Sequence, residues 1–389
     1  MTKAVIVGAA RTPVATARRG SLSETPVEVL AAHAIEAAVK RSGLDGQMFD
    51  DVIFAESQQG GADIARHAAV KIGLAGVPGQ AVNRYCAGSL TAVGNASATI
   101  MAGMDSAVIA GGAHSASLAP ALTWRTPGGT DTYQGYMPTF PYTEDANDDV
   151  TLSTGWNVAQ AYDLSREEMD AWAFRSHQRA VAAIDAGVFD EEIVPLKVTR
   201  TDGTVVEFAV DEHPRRGSTL EKLASLKPLH PEIEGFSITA GNAAGVNDGA
   251  SALAIVADDV ARSERLEAIA TVRGWAATGV SPRVTGLGAI EVIRKLLARM
   301  SLLPEDIHYW EINEAFAAVP LAACRAFGLD ESLVNMHGSG CSIGHPIAAT
   351  GGRMVMTLAG DLKRRGGGLG VAAMCAGGGQ GGAVLIEVG

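Results

Sequence analysis

The sequence has few cysteines and no long run of apolar or basic residues. Four cysteines in 389 residues, without a Cys-x-x-Cys pair, exclude a disulfide scaffold and give no indication of zinc. The longest apolar stretches fall well short of the ~20 residues that span a bilayer. The start of the chain enters an apolar strand within three residues, too soon for a signal peptide. We therefore expect a cytoplasmic protein without a membrane span.

Charge is also sparse, and its balance is acidic. Only 19% of the residues are charged, and the formal net charge is −12. Without a long basic segment, nucleic-acid binding is not expected. An anionic ligand must then be met by a local basic patch.

What the sequence does contain is a packed globular chain in which strands and helices alternate. It is 47% hydrophobic and has 46 glycines. The pattern predicts strands at 4–7, 52–55 and 107–110, an amphipathic helix at 27–41, and an almost wholly apolar helix at 89–102. This alternation predicts an α/β fold with a mainly parallel sheet and helices on both faces.

A weak internal repeat indicates duplication. A strand–turn–helix–strand unit that ends in Gly-Gly occupies residues 82–112 and recurs at 334–378, with its helix at 350–365. Two similar halves that face each other would bring both turns to one site. The alternative is that any two such units look alike.

The segment between the repeats differs in texture and is interpreted as an inserted loop domain. It holds three of the five tryptophans, and a capping box from Ser165 to Glu168 predicts a helix over 169–186 that stops at Gly187. Such insertions commonly carry substrate contacts. The predicted division of the chain is residues 1–115 with about 245–266, residues 116–244, and residues 267–389.

Two cysteines and a histidine, each after an apolar run, are the candidate reactive groups. Cys86 precedes the helix at 89–102, whose dipole is expected to lower the thiol pKa, so Cys86 is the candidate nucleophile. His345, between a glycine and a proline, is its candidate base. Cys375 ends a strand, and Gly377 follows it with free backbone N–H groups for an oxyanion. One cysteine that holds an acyl group and another that moves a proton meet the needs of a Claisen condensation or its reversal. Taken singly, each of these residues has a structural alternative.

Neighbouring residues extend this candidate site. Asn313, at a predicted strand end, can orient a water or donate to an oxyanion, and Glu314 can orient His345 or Asn313. The alternative for this pair is a helix cap. His337 is a further candidate for the same cavity. The Gly-x-Gly-x-x-Gly spacing that begins at Gly377 precedes the predicted strand 383–388 rather than a helix, so it does not indicate a dinucleotide site.

Taken together, these motifs resemble the thiolase family over essentially the whole chain. The motifs that carry the resemblance are Ala-Ala-Arg-Thr-Pro at 9–13, Asn-Arg-Tyr-Cys at 83–86, Val-Asn-Asp-Gly-Ala at 246–250, Asn-Glu-Ala-Phe at 313–316, Gly-His-Pro at 344–346 and Cys-Ala-Gly-Gly-Gly-Gln-Gly at 375–381. The resemblance implies a thiolase fold of two similar layered α/β halves with an inserted loop domain. It implies reversible cleavage of a 3-ketoacyl-CoA by CoA to acyl-CoA and acetyl-CoA.

The resemblance also implies a role for each reactive residue. Cys86 is the acylated nucleophile, His345 activates it, and Cys375 is the acid and base for the acetyl group. Asn313 with a water, beside His345, forms one oxyanion hole, and the N–H groups of Cys86 and Gly377 form the other.

Coenzyme A is implied as a cosubstrate, without a metal or redox cofactor. Its phosphates need cations, and the suitable local cluster is Arg215, Arg216, Lys222 and Lys227, for which a solvated face is the alternative. Ala244 and Phe316 are the expected pantetheine contacts. The family resemblance further implies a homodimer or homotetramer that is built edge to edge through strands.

The chain departs from the family pattern near the acyl and pantetheine pocket. Trp156 replaces a small charged residue, Ala244 a serine and His114 a glutamate, and His337 stands where the family has asparagine. The order Ala-Gly-Ser after Cys86 is also unusual. These changes make the pocket wall more apolar and favour a medium-length, branched or cyclic acyl group over acetoacetyl. The alternative is that the Trp156 side chain fills the tunnel and excludes long chains. Two rival interpretations are a ketoacyl-synthase-type condensing enzyme and a thiolase-like acyl-CoA-binding protein without activity.

Overall fold

A computed structural model describes residues 2–59, 61–121, 123–125, 128, 133–134, 149–200 and 202–389. The rest of the predicted loop domain lies outside the described residues. The strands are β1 (Ala4–Arg11), β2 (Ala15–Thr16), β3 (Asp51–Ala55), β4 (Gly79–Val82), β5 (Ala107–His114), β6 (Trp124–Arg125), β7 (Tyr133–Gln134), β8 (Leu196–Thr199), β9 (Val205–Phe208), β10 (Asn247–Ala257), β11 (Ala270–Gly279), β12 (Tyr309–Ile312), β13 (Gly368–Ala376) and β14 (Gln380–Val388). The helices are α1 (Val27–Ser42), α2 (Ile64–Lys71), α3 (Gly88–Met101), α4 (Asn157–Ala161), α5 (Arg166–Asp185), α6 (Leu220–Ala224), α7 (Asp258–Ser263), α8 (Gly288–Met300), α9 (Ala318–Phe327) and α10 (Thr350–Arg364).

The main sheet runs in the order β12-β13-β14-β11-β1-β10-β5-β3-β4, with β2 also paired to β10. It is mixed, so the prediction of a mainly parallel sheet is wrong. Only β3 with β4 and β5, and β12 with β13, pair in parallel among the described strands. The connection from β13 to β14 is three residues long, Gly377 to Gly379, which is too short for a parallel crossover and gives a hairpin.

The predicted duplication is confirmed by the pairing pattern. The order β1-β10-β5-β3-β4 in one half matches β11-β14-β13-β12 in the other, and Val334, which bridges in parallel to Trp310, takes the position of β4. Pairing between β1 and β11 joins the halves. Each of these two strands has an irregularity at the same point, between Ile6 and Gly8 and between Val272 and Gly274.

The two faces of the sheet carry different helices. α3 and α10 share one face, where Leu90, Val93, Met354 and Val355 belong to one buried cluster. α1 and α2 cover the other face of the first half, and α8 and α9 that of the second. The predicted helix at 27–41 is confirmed as α1, which ends at the left-handed Gly43. α3 and α10 begin at the two duplicated turns, so both turns open at the same face of the sheet.

The segment between β5 and β10 packs on both halves. The predicted capping box is confirmed at Ser165, and α5 extends from there to Asp185. The buried Arg11 attaches this segment to the first half. Its guanidinium donates to Asp211 through two hydrogen bonds of 2.8 and 2.9 Å and to Glu192 through a third of 2.9 Å. Within the described residues, no helix is both long and apolar enough to cross a membrane.

Candidate active site

The turn that carries Cys86 lies between β4 and α3. Tyr85 has a φ of +44°, which is unusual for an aromatic residue, and its N–H donates to the Asn83 side chain at 2.9 Å. This left-handed residue reverses the chain sharply, so that Cys86 is presented at the start of α3. Backbone strain of this kind is found where a side chain must be aimed at a site.

The environment of the Cys86 thiol differs from the sequence-based prediction. Burial raises its pKa to about 11, while hydrogen bonds from the N–H groups of Gly377 and of Cys86 itself act in the opposite direction. The prediction of a lowered pKa is therefore wrong for the resting protein, because desolvation outweighs the favourable end of the helix. The thiol needs a base at the moment of reaction.

His345 is held in place from both its backbone and its ring. Its N–H donates to the Asn247 side chain at 2.9 Å, and Asn247 donates in turn to the Ala15 carbonyl at 3.0 Å. The ring Nδ1 lies 2.7 Å from the Thr350 hydroxyl, which donates to the Pro346 carbonyl at 2.9 Å. Because the single hydroxyl proton is used on the carbonyl, Nδ1 must be the protonated nitrogen. Nε2 then carries the lone pair that a base requires.

The same surroundings keep His345 neutral. Burial, together with the neighbouring His114 and Arg353, lowers its pKa to about 3. The Arg353 guanidinium is itself fixed, by Glu311 and Ser339 at 2.8 Å each. Thiol and imidazole are thus both uncharged at neutral pH before substrate binds.

Asn313 lies directly after β12, at the strand end where the sequence predicts it. Its side-chain nitrogen is 3.4 Å from Nε2 of His345. Its Oδ1 is buried and has no hydrogen-bond partner in the described part of the chain. A buried acceptor of this kind is normally satisfied by water or ligand. Asn313 can therefore hold a water beside His345.

Cys375 is the penultimate residue of β13, just before the hairpin turn to β14. It is buried, and both desolvation and the nearby Cys86 raise its pKa well above the usual range. The turn that follows has positive φ at Gly378 and Gly379, which suits glycine, and the Gln380 side chain donates to the Gly377 carbonyl at 3.0 Å. This geometry directs the Gly377 N–H to the Cys86 sulfur.

The structure brings Cys86 together with Cys375 and the Gly377 N–H, and His345 together with Asn313. The two groups are linked where the Gly352 N–H of α10 donates to the Ser89 hydroxyl of α3 at 3.0 Å. These residues stand on the two duplicated turns and at the ends of β12 and β13. The arrangement supplies a thiol, a neutral imidazole base, a second thiol for proton transfer and N–H donors for an oxyanion.

Glu314 does not have the role that the sequence suggests. Its buried carboxylate accepts hydrogen bonds from Trp172 and Asn335 at 2.9 Å, from Ser176 at 2.6 Å and from the Cys341 N–H at 3.1 Å. The expectation that it orients His345 or Asn313 is wrong. Instead it fastens α5 to the loops that carry those residues.

His337 is likewise engaged elsewhere. Its Nε2 lies 2.7 Å from Asp361, and its ring meets Phe189 edge to face. The imidazole is thus engaged with the buried carboxylate of Asp361, which also binds Arg364. The expectation that it faces the same cavity as His345 finds no support in these contacts.

The expected pantetheine contacts lie on two joined loops. The Ala244 N–H donates to the Ala315 carbonyl at 2.9 Å, and Ala243 bridges to Phe316. Val246, three residues further on, bridges to His345. This strip of backbone therefore leads from Ala244 to the candidate base.

The basic cluster that is expected to bind the CoA phosphates is only partly available to a ligand. Arg216 is paired with Asp185 through contacts of 2.8 and 2.6 Å, and the Lys222 ammonium donates to the Gly217 carbonyl at 2.7 Å. The exposed Arg215 follows His213, whose ring lies against Gly245, next to Ala244. Arg215 is thus an exposed cation of this cluster, two residues from a side chain that contacts the Ala244 loop.

Trp156 ends a π-helical turn, Thr151–Trp156, beside the site. Its indole packs on Phe236 with ring centroids 5.1 Å apart. The preceding Gly155 lies against Ile238 and Phe316. The indole therefore forms an apolar wall with Phe236 behind the Phe316 loop.

Sequence reasoning missed two residues that position the base, Thr350 and Asn247. Asn247 belongs to the motif at 246–250 and Thr350 follows the motif at 344–346, but nothing in the linear spacing shows that either side chain reaches the His345 backbone or ring.

The chain is similar to known proteins over its whole length. Residues 4–259 match the family model for the thiolase N-terminal domain, and residues 266–388 match that for the thiolase C-terminal domain. The chain is 40% identical to the beta-ketoadipyl-CoA thiolase of Pseudomonas aeruginosa over 98% of both chains. It is 38% identical to the acetyl-CoA acetyltransferase of Cupriavidus necator over the full length of both. The crystal structure of the Bacillus anthracis acetyl-CoA acetyltransferase matches with a TM-score of 0.91 at 36% identity, over 100% of this chain and 99% of that one.

Proposed function

The chain belongs to the thiolase family, and we propose that it cleaves a 3-ketoacyl-CoA with CoA to acyl-CoA and acetyl-CoA, reversibly, through an acyl-cysteine at Cys86. The observation that carries the proposal is the pair of neighbouring thiols, Cys86 and Cys375, with the Gly377 N–H directed at the Cys86 sulfur. The neutral imidazole of His345, with Asn313 beside it, supports it.

The first half-reaction uses Cys86 and both proton-transfer groups. As the Cys86 sulfur attacks the 3-keto carbon, its proton passes to Nε2 of His345. The carbonyl becomes an oxyanion, which the N–H groups of Cys86 and Gly377 stabilise. The bond between carbons 2 and 3 then breaks, the acyl group stays on the sulfur, and the departing carbanion takes the proton of Cys375. The products are acyl-Cys86 and acetyl-CoA.

The second half-reaction returns the site to its starting state. The CoA thiol loses its proton to Cys375, attacks the acyl-cysteine and leaves as acyl-CoA. The Cys86 sulfur recovers its proton from His345.

Asn313 acts in the first half-reaction. Together with a water on its Oδ1, it stabilises the enolate oxygen of the departing acetyl-CoA unit.

We assign CoA binding to the segment 116–244, with Arg215 on a phosphate, and to the Phe316 loop that joins this segment at Ala243 and Ala244. The test is KM for CoA in Arg215→Ala, with Arg216→Ala as matched control because its guanidinium is already paired with Asp185. A rise of about tenfold is expected for Arg215→Ala alone, the worth of one exposed phosphate contact. Equal KM values for the two variants would show that Arg215 does not bind a CoA phosphate. We assign Lys222 a smaller contribution to phosphate binding, because its ammonium already donates to the Gly217 carbonyl.

For the acyl group, we propose a chain larger than acetoacetyl that packs on the wall of Trp156 and Phe236. Each methylene that becomes buried contributes ~0.8 kcal/mol. The measurement is kcat/KM for acetoacetyl-CoA and for longer or branched 3-ketoacyl-CoAs, in wild type and in Trp156→Ala. If the ratio of kcat/KM for the larger substrates to kcat/KM for acetoacetyl-CoA is the same in both proteins, the indole does not contact the acyl group.

We further propose a cytoplasmic homodimer or homotetramer. All four cysteines are free, as a reducing compartment requires. β4 is an edge strand of the sheet, with Gln80 and Ala81 exposed, and is suited to pairing with a second copy. A monomeric mass in light scattering would argue against this.

The reaction itself is tested by steady-state thiolysis of acetoacetyl-CoA and longer substrates. Wild type should turn over with CoA, and Cys86→Ala should lose about 10³-fold or more. Binding of CoA without turnover would indicate the inactive acyl-CoA-binding alternative. Condensation without CoA-dependent cleavage would indicate the ketoacyl-synthase alternative.

A further inference from the structure

His213 lies in the loop between β9 and α6, two residues before Arg215. Its ring Nδ1 lies 2.8 Å from the Ser342 carbonyl oxygen. Because a carbonyl oxygen can only accept, Nδ1 carries the ring proton and Nε2 carries the lone pair. The backbone of the loop that leads to His345 therefore fixes the tautomer of this half-buried ring.

The Nε2 edge of the His213 ring lies against the strip of backbone assigned to pantetheine. A Cβ added at Gly245 would lie 2.3 Å from Nε2 and 2.9 Å from Cδ2, so the absence of a side chain lets the ring approach this closely. Gly245 stands between Ala244, which pairs with the Phe316 loop, and Val246, which bridges to His345. Among the described residues, none forms a hydrogen bond with Nε2. The lone pair is thus an unused acceptor beside the strip.

A second histidine lies beside the ring and joins the same loop to α5. The His177 ring is nearly parallel to that of His213, with centroids 6.3 Å apart, and its Nδ1 accepts the Arg215 N–H at 3.2 Å. Burial lowers the pKa of His213 below its usual range, against the opposing effect of the Ser342 carbonyl. The ring is therefore uncharged at neutral pH, and Nε2 remains an acceptor.

The contacts of His213 connect the two ends of the assigned CoA site. Arg215, two residues away, is assigned to a phosphate, and Val246, next to Gly245, leads to the candidate base His345. The pantetheine arm of CoA spans the distance between its phosphates and its thiol, and it carries amide groups. An amide N–H that loses its water on binding needs an acceptor in the protein. A neutral imidazole with a fixed lone pair between the two ends meets this need.

We propose that His213 is a substrate-binding residue whose Nε2 accepts a hydrogen bond from an amide N–H of the pantetheine arm. This inference rests on the proposed function. The two fail separately, because an inactive wild type refutes the function, whereas an active wild type whose KM is insensitive to position 213 refutes only this contact.

The first experiment compares His213→Asn with His213→Gln in thiolysis of acetoacetyl-CoA, after thermal unfolding has shown that both variants are folded. The asparagine amide can donate to the Ser342 carbonyl as Nδ1 does but places no acceptor at Nε2, whereas the glutamine oxygen can take that place. KM should rise about threefold to tenfold in the asparagine variant, with kcat within about twofold, and stay near wild type in the glutamine variant. A KM that is unchanged in the asparagine variant, or raised equally in both, overturns the proposal.

The second experiment uses acetoacetyl-pantetheine, which has the arm but lacks the nucleotide and its phosphates. His213→Asn should raise KM for this thioester by the same factor as for acetoacetyl-CoA, because the amide contact is still present in the substrate. Arg215→Ala is the matched control and should raise KM for the CoA thioester alone. If the asparagine variant does not fold, His213→Phe takes its place, since it keeps a ring and lacks both nitrogens. An effect of position 213 that vanishes with acetoacetyl-pantetheine shows that His213 acts only through the Arg215 loop, and it overturns the proposal.

Discussion

The Nδ1 atom of His345 lies 2.7 Å from the hydroxyl of Thr350, five residues further along the chain at the start of α10. The hydroxyl proton is used on the Pro346 carbonyl, so the imidazole has to donate to Thr350 and has its lone pair on Nε2. One hydroxyl group thereby selects the tautomer that acts as a base.

Replacement of Thr350 should disturb this selection without removing the base. Thr350→Val keeps the shape but leaves a buried N–H unpaired, which costs about 1–3 kcal/mol. We expect Cys86 acetylation by acetyl-CoA to slow by about tenfold to a hundredfold. Thr350→Ser, which keeps the hydroxyl, should react at nearly the wild-type rate. If Val and Ser behave alike, the tautomer is selected by another group.

Cys375 should be needed for one chemical task only. Cys375→Ala should still be acetylated at Cys86, because His345 alone takes the proton of that thiol. Thiolysis and condensation should both be lost, since nothing replaces the acid and base for the acetyl carbon. Cys324→Ala is the matched control, a buried free cysteine in α9, and should turn over normally. Near-normal turnover of Cys375→Ala rules out the assigned role.

Alkylation of Cys86 should reveal its raised pKa. Because burial raises the pKa to about 11, the reactive thiolate is a small fraction at neutral pH. The rate with iodoacetamide should therefore increase by about tenfold per pH unit from pH 7 to 10. Peptide mass spectrometry identifies the alkylated residue. A rate that is already constant below pH 8 would show a thiolate–imidazolium pair at rest, contrary to the neutral pair described above.

The buried Arg11 should be important for stability. Its guanidinium binds Asp211 and Glu192 and is 1% exposed, so Arg11→Ala leaves two buried carboxylates without their cation. We expect a loss of about 3–5 kcal/mol in the free energy of unfolding, measured in urea. Arg216→Ala breaks an exposed pair with Asp185 and should cause no measurable change. Similar effects of the two substitutions would contradict the difference in burial.

Local patterns in the sequence predict the elements of this fold well. The apolar stripe of α1 and the Ser165 capping box each depend on residues a few positions apart, and both occur as expected. Strand direction is different, because it depends on how the chain returns to the sheet. The three-residue connection from β13 to β14 imposes a hairpin, and a count of alternating strands and helices does not register it.

The candidate site also has features that the sequence indicates and features that arise only on folding. Cys86, His345 and Cys375 stand in distinctive glycine-rich turns, so the sequence indicates them directly. The pKa of Cys86, the partners of Glu314 and the contact of Thr350 with His345 arise only on folding. Burial changes a pKa in a way that a helix position alone does not predict.

The central claim is that Cys86 carries the acyl group, and mass spectrometry of the acylated protein tests it most directly. Wild type and Cys375→Ala are incubated with acetyl-CoA, quenched in acid and digested. The account predicts the mass of an acetyl group on the peptide that contains Cys86 in both proteins, and its absence in Cys86→Ala. An acetyl group on the peptide of Cys324, Cys341 or Cys375 instead, or an unmodified Cys86 in an enzyme that turns over, would contradict the account.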